Sequence, residues 1–209
     1  MAGGGKASSF IMGTINAAIA LVKNPAAYIS ANKDTPATTM GIMVNYVAVL
    51  AAIPFIATLI GDLWYYSLFI PFGFAGSYVA YAFVDAFLTY ILGVIGVYII
   101  AIVIGMLAPT FGSSSNPIKN LKLAAFIYTP AFLIGALDII PFLSVLGILG
   151  ILYGLYILYL GLPIMLGTSK DKVVTYVVAV VIAAFVVYLV IGFIVGAVLV
   201  AAFHAGAFL

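Results

Sequence analysis

The groups able to do chemistry are few and far apart. The chain has 209 residues, with five acidic side chains, all Asp, one His and no Cys. Asp85 interrupts an otherwise apolar run, VAYAFVDAFLTYILGVIGVYII. A carboxyl group inside such a run is costly to hold and by default marks a function. It could form a cation or proton site with Asn45, Asp62 or a tyrosine. The plainer reading puts it near the end of a long helix, where water reaches it. Asp138, close to Pro141, reads as a cap or an interface residue at a turn. His204 stands alone near the last residue and has no neighbouring ligand types. No His-Glu-x-x-His or Gly-x-Ser-x-Gly pattern occurs, and there is no thiol, so the familiar hydrolytic centres are excluded. An Asp pair could in principle cleave peptides within a membrane, but the topology derived below puts Asp62 and Asp138 at the surface. The expectation is a non-enzyme without cofactor or bound metal.

The elements that hold these groups are set by composition. The chain is 67% hydrophobic and 6% charged, with mean hydropathy +1.38. A soluble domain carries about 25% charged residues, which rules out an ordinary globular fold. The net charge of +2 is no nucleic-acid signature. Five apolar stretches are long enough to cross hydrocarbon, at about 39–61, 79–107, 121–140, 142–167 and 173–203. The expected fold is all-α and polytopic, an integral membrane protein with five transmembrane helices plus an N-terminal interfacial amphipathic helix. Residues 1–38 form the N-terminal segment and 39–209 the membrane domain.

Sidedness supports that count. Lys6, Lys23 and Lys33 precede the first span, Lys119 and Lys122 lie between the second and third, and Lys170 and Lys172 between the fourth and fifth. The other connections carry no Lys. Short lysine-rich loops stay cytoplasmic, so the N-terminus is expected inside and the C-terminus outside. The opening MAGGGKASSF lacks the pattern of a cleaved signal peptide. Residues 63–78, LWYYSLFIPFGFAGSY, are apolar, but a span there would put Lys119 and Lys122 on the wrong side. With Pro71, Gly73 and Gly76 as breakers and Trp64, Tyr65 and Tyr66 as a belt, they read as an outer interfacial or re-entrant loop.

In residues 8–23, Ile11, Ile15, Ala18 and Val22 recur at helical spacing, and Asn24-Pro25 ends the run. The stretch is too short to span and reads as a helix in the inner interface. A second short helix can follow from Pro25 and stop before Lys33. Loop 108–120, with Ser113, Ser114 and Ser115, reads as a flexible linker. Gly150 with Gly154, and Gly192 with Gly196, form GxxxG pairs, and Ala101 with Gly105 is a similar small pair. Such spacing lets helices approach closely, either within one chain or across a homo-oligomer. Tyr153, Tyr156 and Tyr159 sweep round the fourth span, as simple packing or as a polar seam.

Residues 126–169 carry a more specific signal. Tyr128, Thr129 and Pro130 are followed by Pro141, then by LYGLYILYLGLP from Leu152 to Pro163 and a short polar loop, TSKDK. This pattern resembles the Yip family of membrane proteins that interact with Ypt/Rab GTPases, and within it the prokaryotic branch. The resemblance implies five spans and a cytoplasmic N-terminus. It implies roles in vesicle traffic and mutual association for eukaryotic members, and it assigns no catalytic residue. Their Rab-facing part is a long hydrophilic N-terminal region, where this chain has about 38 residues. That shortness suits a prokaryotic plasma membrane. Within the motif, Pro130 removes a backbone donor and should kink the third span, with Thr129 able to bond a freed carbonyl. Gly161 and Pro163 should loosen the end of the fourth. The expected function is membrane organisation or partner recruitment on the lipid bilayer. The alternative is a small channel or transporter using a polar site near Asp85.

Overall fold

Asn24 and Pro25 divide the N-terminal residues into two helices. In this computed structural model, which describes residues 3–69 and 75–204, α1 is Gly3–Lys23 and α2 is Pro25–Asn32. The Asn24 side chain accepts from the Ala27 amide at 3.3 Å, and Pro25 sits in the first turn, where its missing N–H is no loss. A longer run follows: α3 (Thr39–Ile42), a π-helical turn (Met43–Ala48) and α4 (Val49–Phe69). Then come α5 (Ala75–Leu107), α6 (Pro117–Ile134), α7 (Gly147–Leu166) and α8 (Val173–His204). Short 3₁₀ stretches lie at Ala108–Phe111, Gly135–Ile139 and Pro141–Leu146. Among the described residues there is no strand.

Five stretches are long and apolar enough to cross a membrane: Thr39–Tyr65, Ala82–Phe111, Pro117–Ile139, Pro141–Leu166 and Val173–Val190. The chain is an all-α, multi-pass membrane protein. Alternating spans collect all the loop lysines at one end of the bundle, the lysine end. Asp62, Asp85 and Asp138 fall at the other.

The reading of 63–78 as a loop needs correction. Residues up to Phe69 continue α4, and Gly76 lies inside α5. Residues 63–69 contain neither Pro nor Gly, so nothing in them stops a helix already under way. Pro71 and Gly73 lie outside the described residues.

The centre of the bundle is α6, whose span is half buried where the other four are a third buried or less. It packs on α4, α5 and α7, while α8 leans on α5 and α7. Gly150, Gly154 and Gly161 form one stripe of α7 laid against α6. A Cβ at Gly150 would sit 2.7 Å from the Ala131 Cα, and one at Gly154 would overlap the Ile127 carbonyl oxygen. Gly161 receives the Leu123 side chain in the same way. The first GxxxG pair is therefore used inside the monomer, which removes it as a face for a second copy. Gly161 and Pro163 do not loosen the helix: α7 runs through both to Leu166, and Gly167, at φ 70, caps it. Gly192 and Gly196 fall on α8, and their packing lies outside the described residues.

The lysine end is tied down. Asn116 caps α6 by accepting from the Ile118 and Lys119 amides at 3.0 and 3.2 Å. Ser113 shares a hydrogen bond with Thr168 at 2.8 Å, and the Ser114 hydroxyl donates to the Leu166 carbonyl at 3.0 Å. Loop 108–120 is thus a staple between two connections rather than a linker. Tyr176 donates to the Ile104 carbonyl at 2.5 Å and stacks on Phe111.

The N-terminal segment docks on this end. Lys122, buried on α6, donates to the carbonyls of Asn32 at 3.0 Å and Thr35 at 2.5 Å, and to the Thr35 hydroxyl at 2.8 Å. Lys119 pairs with Asp34 at 2.7 Å and holds that carboxyl below its usual range. Tyr153 reaches the Val22 carbonyl at 2.7 Å, and Thr14 that of Asn45 at 3.0 Å. Ala18, Leu21 and Ile29 are fully buried. On α1 the protein-facing stripe is Thr14, Ala18 and Leu21, while Phe10, Ile11, Met12 and Ile19 are exposed. Ile11 and Ala18, read from spacing as one face, point different ways.

The glycine stripe makes a stability prediction. Gly154→Ala should lower the unfolding midpoint in detergent, at a cost of about 1–3 kcal/mol, because a backbone carbonyl blocks the new methyl. Gly147→Ala meets nothing within 4 Å and should leave the midpoint within about 0.5 kcal/mol of wild type. Equal midpoints for the two variants would contradict the close α6–α7 contact.

Candidate functional site

At the end away from the lysines, three backbone devices set the site. Ile140 is extended before Pro141, as the residue before a proline prefers, and this turns the chain from α6 back into α7. A Cβ at Gly61 would overlap the Asp138 carbonyl oxygen, so only glycine lets α4 lie this close to the Gly135–Ile139 turn. The Trp64 indole N–H then donates to the Ile139 carbonyl at 2.6 Å. Together these fix Asp138 beside the α4 turn that carries Asp62.

Between the spans lies a half-open cavity of about 830 Å³. On α4 it is lined by Ala51, Pro54, Thr58 and Asp62, a single helical stripe, and on α5 by Asp85, Thr89, Gly93 and Ile100. Ile127, Tyr128, Ala131 and Phe132 come from α6, and Gly135 from the turn after it. Asp138, Pro141 and Ser144 come from the turn, and Leu155 and Leu158 from α7. Val180, Ala184, Phe185 and Tyr188 flank it from α8. The three carboxyl groups, Thr58, Thr89 and Ser144 gather at one end. Apolar side chains make up most of the remainder. Deeper in, the Tyr128 and Tyr188 hydroxyls hydrogen-bond to each other, with Gly96 leaving room for them.

The electrostatics are one-sided. No Lys lines the cavity. The single ion pair among the described residues is Lys119–Asp34, at the lysine end. Asp62 Oδ2 is shielded from solvent and has no hydrogen-bond partner among the described residues. Among the described residues no three carboxyl or imidazole groups converge as a metal site. The arrangement can therefore receive a cationic or hydrogen-bonding group spread over several carboxyls. It offers no activated nucleophile.

The sequence-predicted residues divide clearly. Asp62, Asp85, Asp138 and Tyr128 share the cavity. Asp62 and Asp138, expected at the surface, are half-buried at the aspartate end and line this space. Asn45 does not join Asp85: it is exposed on the π-helical turn, near the lysine end of its span. Tyr156 and Tyr159 are exposed, so the three tyrosines of α7 form no seam, and only Tyr153 turns inward to Val22. Thr129, fully buried, bonds the Ala125 carbonyl and the Tyr46 hydroxyl, each at 2.9 Å. The carbonyl that Pro130 frees belongs to Phe126, one residue further on, so the Thr129 bond does not repair that break. Pro130 lies within α6, which continues to Ile134.

Thr58, Thr89, Ser144 and Tyr188 escaped the reading of the sequence. Two of them were within reach. Thr58–Asp62 and Asp85–Thr89 each stand four residues apart, and that spacing puts both members on one helix face.

No curated protein and no solved structure matches the chain. A family model does, that of the Yip1 domain, over residues 19–192. The matched segment runs from α1 into α8 and contains every carboxyl group of the cavity, and the chain belongs to the Yip1 domain family.

Proposed function

We infer that this Yip1-domain protein is a non-enzymatic membrane protein whose bundle binds a small molecule in the cavity at its aspartate end, as a channel, transporter or carrier would. The observation that carries this reading is the meeting of Asp62, Asp85 and Asp138, from three separate elements, in one space with no lysine. Its volume lies within the roughly 300–1,000 Å³ of small-molecule sites. The lysine end faces the cytoplasm of a prokaryotic cell, and the aspartate end and the C-terminus face outward across the plasma membrane. The sidedness of the seven Lys supports this orientation. Native mass spectrometry of the chain released from a mild detergent tests the binding reading. Wild type should retain a co-purified small molecule, and Thr89→Trp, which fills the cavity from α5, should lose most of it. Absence of a retained molecule, or equal retention by both proteins, would count against the reading.

A second reading is membrane organisation or partner recruitment, and one observation favours it. The N-terminal helix is docked on the bundle yet turns Phe10, Ile11, Met12 and Ile19 outward, beside Lys23. An apolar row flanked by Lys suits the headgroup boundary. Replacing Phe10, Ile11 and Met12 with Ser leaves the buried stripe intact. The triple variant should lose at least half of any vesicle remodelling that the wild-type protein causes on reconstitution. Unchanged vesicle size distributions would remove the N-terminal helix from that role. Self-association belongs to this reading and would use faces other than the Gly150–Gly154 stripe.

A further inference from the structure

We propose that the cavity takes an amphiphile: a molecule with a cationic, amine-type head held by Asp62, Asp85 and Asp138 and an apolar tail lying between the spans. This rests on the binding reading above and names the ligand class for that site.

The ends of the cavity differ in kind. Asp62 and Asp85 lie about two and three turns in from the aspartate-end termini of α4 and α5, and Asp138 lies in the turn that follows α6. Away from them the walls become apolar, with Ile100, Leu158 and Val180 at the far reach. From Asp85 to Ile100 is about 22 Å along α5, so the space is deep as well as wide. A small hydrated ion would leave that apolar depth unused. A neutral apolar molecule would leave the carboxyls in a low-dielectric wall without a partner, which is the costly state.

Charge and hydrogen bonding point the same way. The described residues give the three carboxyls no cationic partner, and Asp62 Oδ2 is buried and unbonded. They do not converge closely enough for one metal ion. An ammonium group has donors or a diffuse charge that can be shared among separated acceptors. The tail would lie as ligand tails do in small-molecule sites, against apolar walls with few polar groups fixing orientation.

The chain contains its own reporter. Trp64 is the single tryptophan, and its indole is bonded to Ile139, next to Asp138. The experiment follows Trp64 emission in phosphatidylcholine nanodiscs holding the full chain. The probes are dodecyltrimethylammonium, dodecyl sulfate, dodecanol and the tail-less tetramethylammonium. Dodecyltrimethylammonium should bind at least about tenfold more tightly than the sulfate, the alcohol or the tail-less cation. Asp62→Asn, Asp85→Asn and Asp138→Asn combined should weaken it by a similar factor. Because that variant could misfold, Ala184→Phe serves as a second. It narrows the apolar part, keeps every carboxyl, and should weaken the amphiphile while leaving tetramethylammonium unchanged.

Equal binding of the sulfate or alcohol, or undiminished binding by both variants, would overturn the proposal. If tetramethylammonium binds as tightly as the amphiphile, the cavity reading survives and the amphiphile falls. If no probe binds and no co-purified molecule is retained, both fall. An amine-headed lipid built into the nanodisc distinguishes sources. Competition by that lipid places the ligand in the bilayer. Competition only by dodecylamine added to the water places it in the aqueous phase. Either source upholds the proposal.

Discussion

In hydrocarbon two helices gain nothing by hiding apolar surface from each other, because lipid tails are as apolar as leucine. What holds them is how closely their backbones approach. In this chain that approach is made by α7 against α6, where Gly150 and Gly154 let the two backbones meet and Gly161 makes room for the Leu123 side chain. The rest is arranged around this contact. It makes α6 the most buried of the five spans, with α4 and α5 packed on its other sides. Gly61 repeats the device at the aspartate end and brings the Asp138 turn against α4. The cavity is the volume left where these close contacts stop, with α8 along one side.

Charge is sorted along the axis of the bundle. Lysines at one end are structural as well as topological. Lys119 and Lys122 reach Asp34, Asn32 and Thr35, and so draw the N-terminal helices onto the bundle. Aspartates at the other end have no lysine to meet. A helical protein that spends all its lysines on one side leaves its opposite carboxyls to be satisfied by solvent or by a ligand. Two ends with different chemistry follow, one closed by hydrogen bonds and one holding an unpaired acidic space.

The number of spans was legible because it depends only on runs of apolar residues and on where lysine falls. The break at Asn24-Pro25 was legible too, since a cap and an N-terminal proline act locally. The Yip-family motif from Tyr128 to Pro163 identified the family, which the match over residues 19–192 bears out. The continuation of α4 to Phe69 was hidden because the breakers at Pro71 and Gly73 follow that stretch rather than interrupt it. The partners of Ser113 and Ser114 were hidden because Thr168 and Leu166 lie some fifty residues away. The three aspartates illustrate the limit most sharply. Only Asp85 stood out inside a span, while Asp62 and Asp138 read as surface residues. Their meeting depends on Gly61, on the extended Ile140 and on the packing of α6, which are contacts between elements and leave no local trace.

The absence of Cys from the chain makes the central claim directly measurable. Thr89→Cys places one thiol in the cavity wall, and Ile102→Cys places one on the outward face of the same helix. Both would be treated in proteoliposomes with a charged, membrane-impermeant methanethiosulfonate, added on the side opposite the Lys170–Lys172 loop. A cavity that opens at the aspartate end predicts rapid modification at position 89 and little at 102. Equal resistance of the two thiols would show that the carboxyl-lined space does not reach water, and would contradict a ligand site entered from that end.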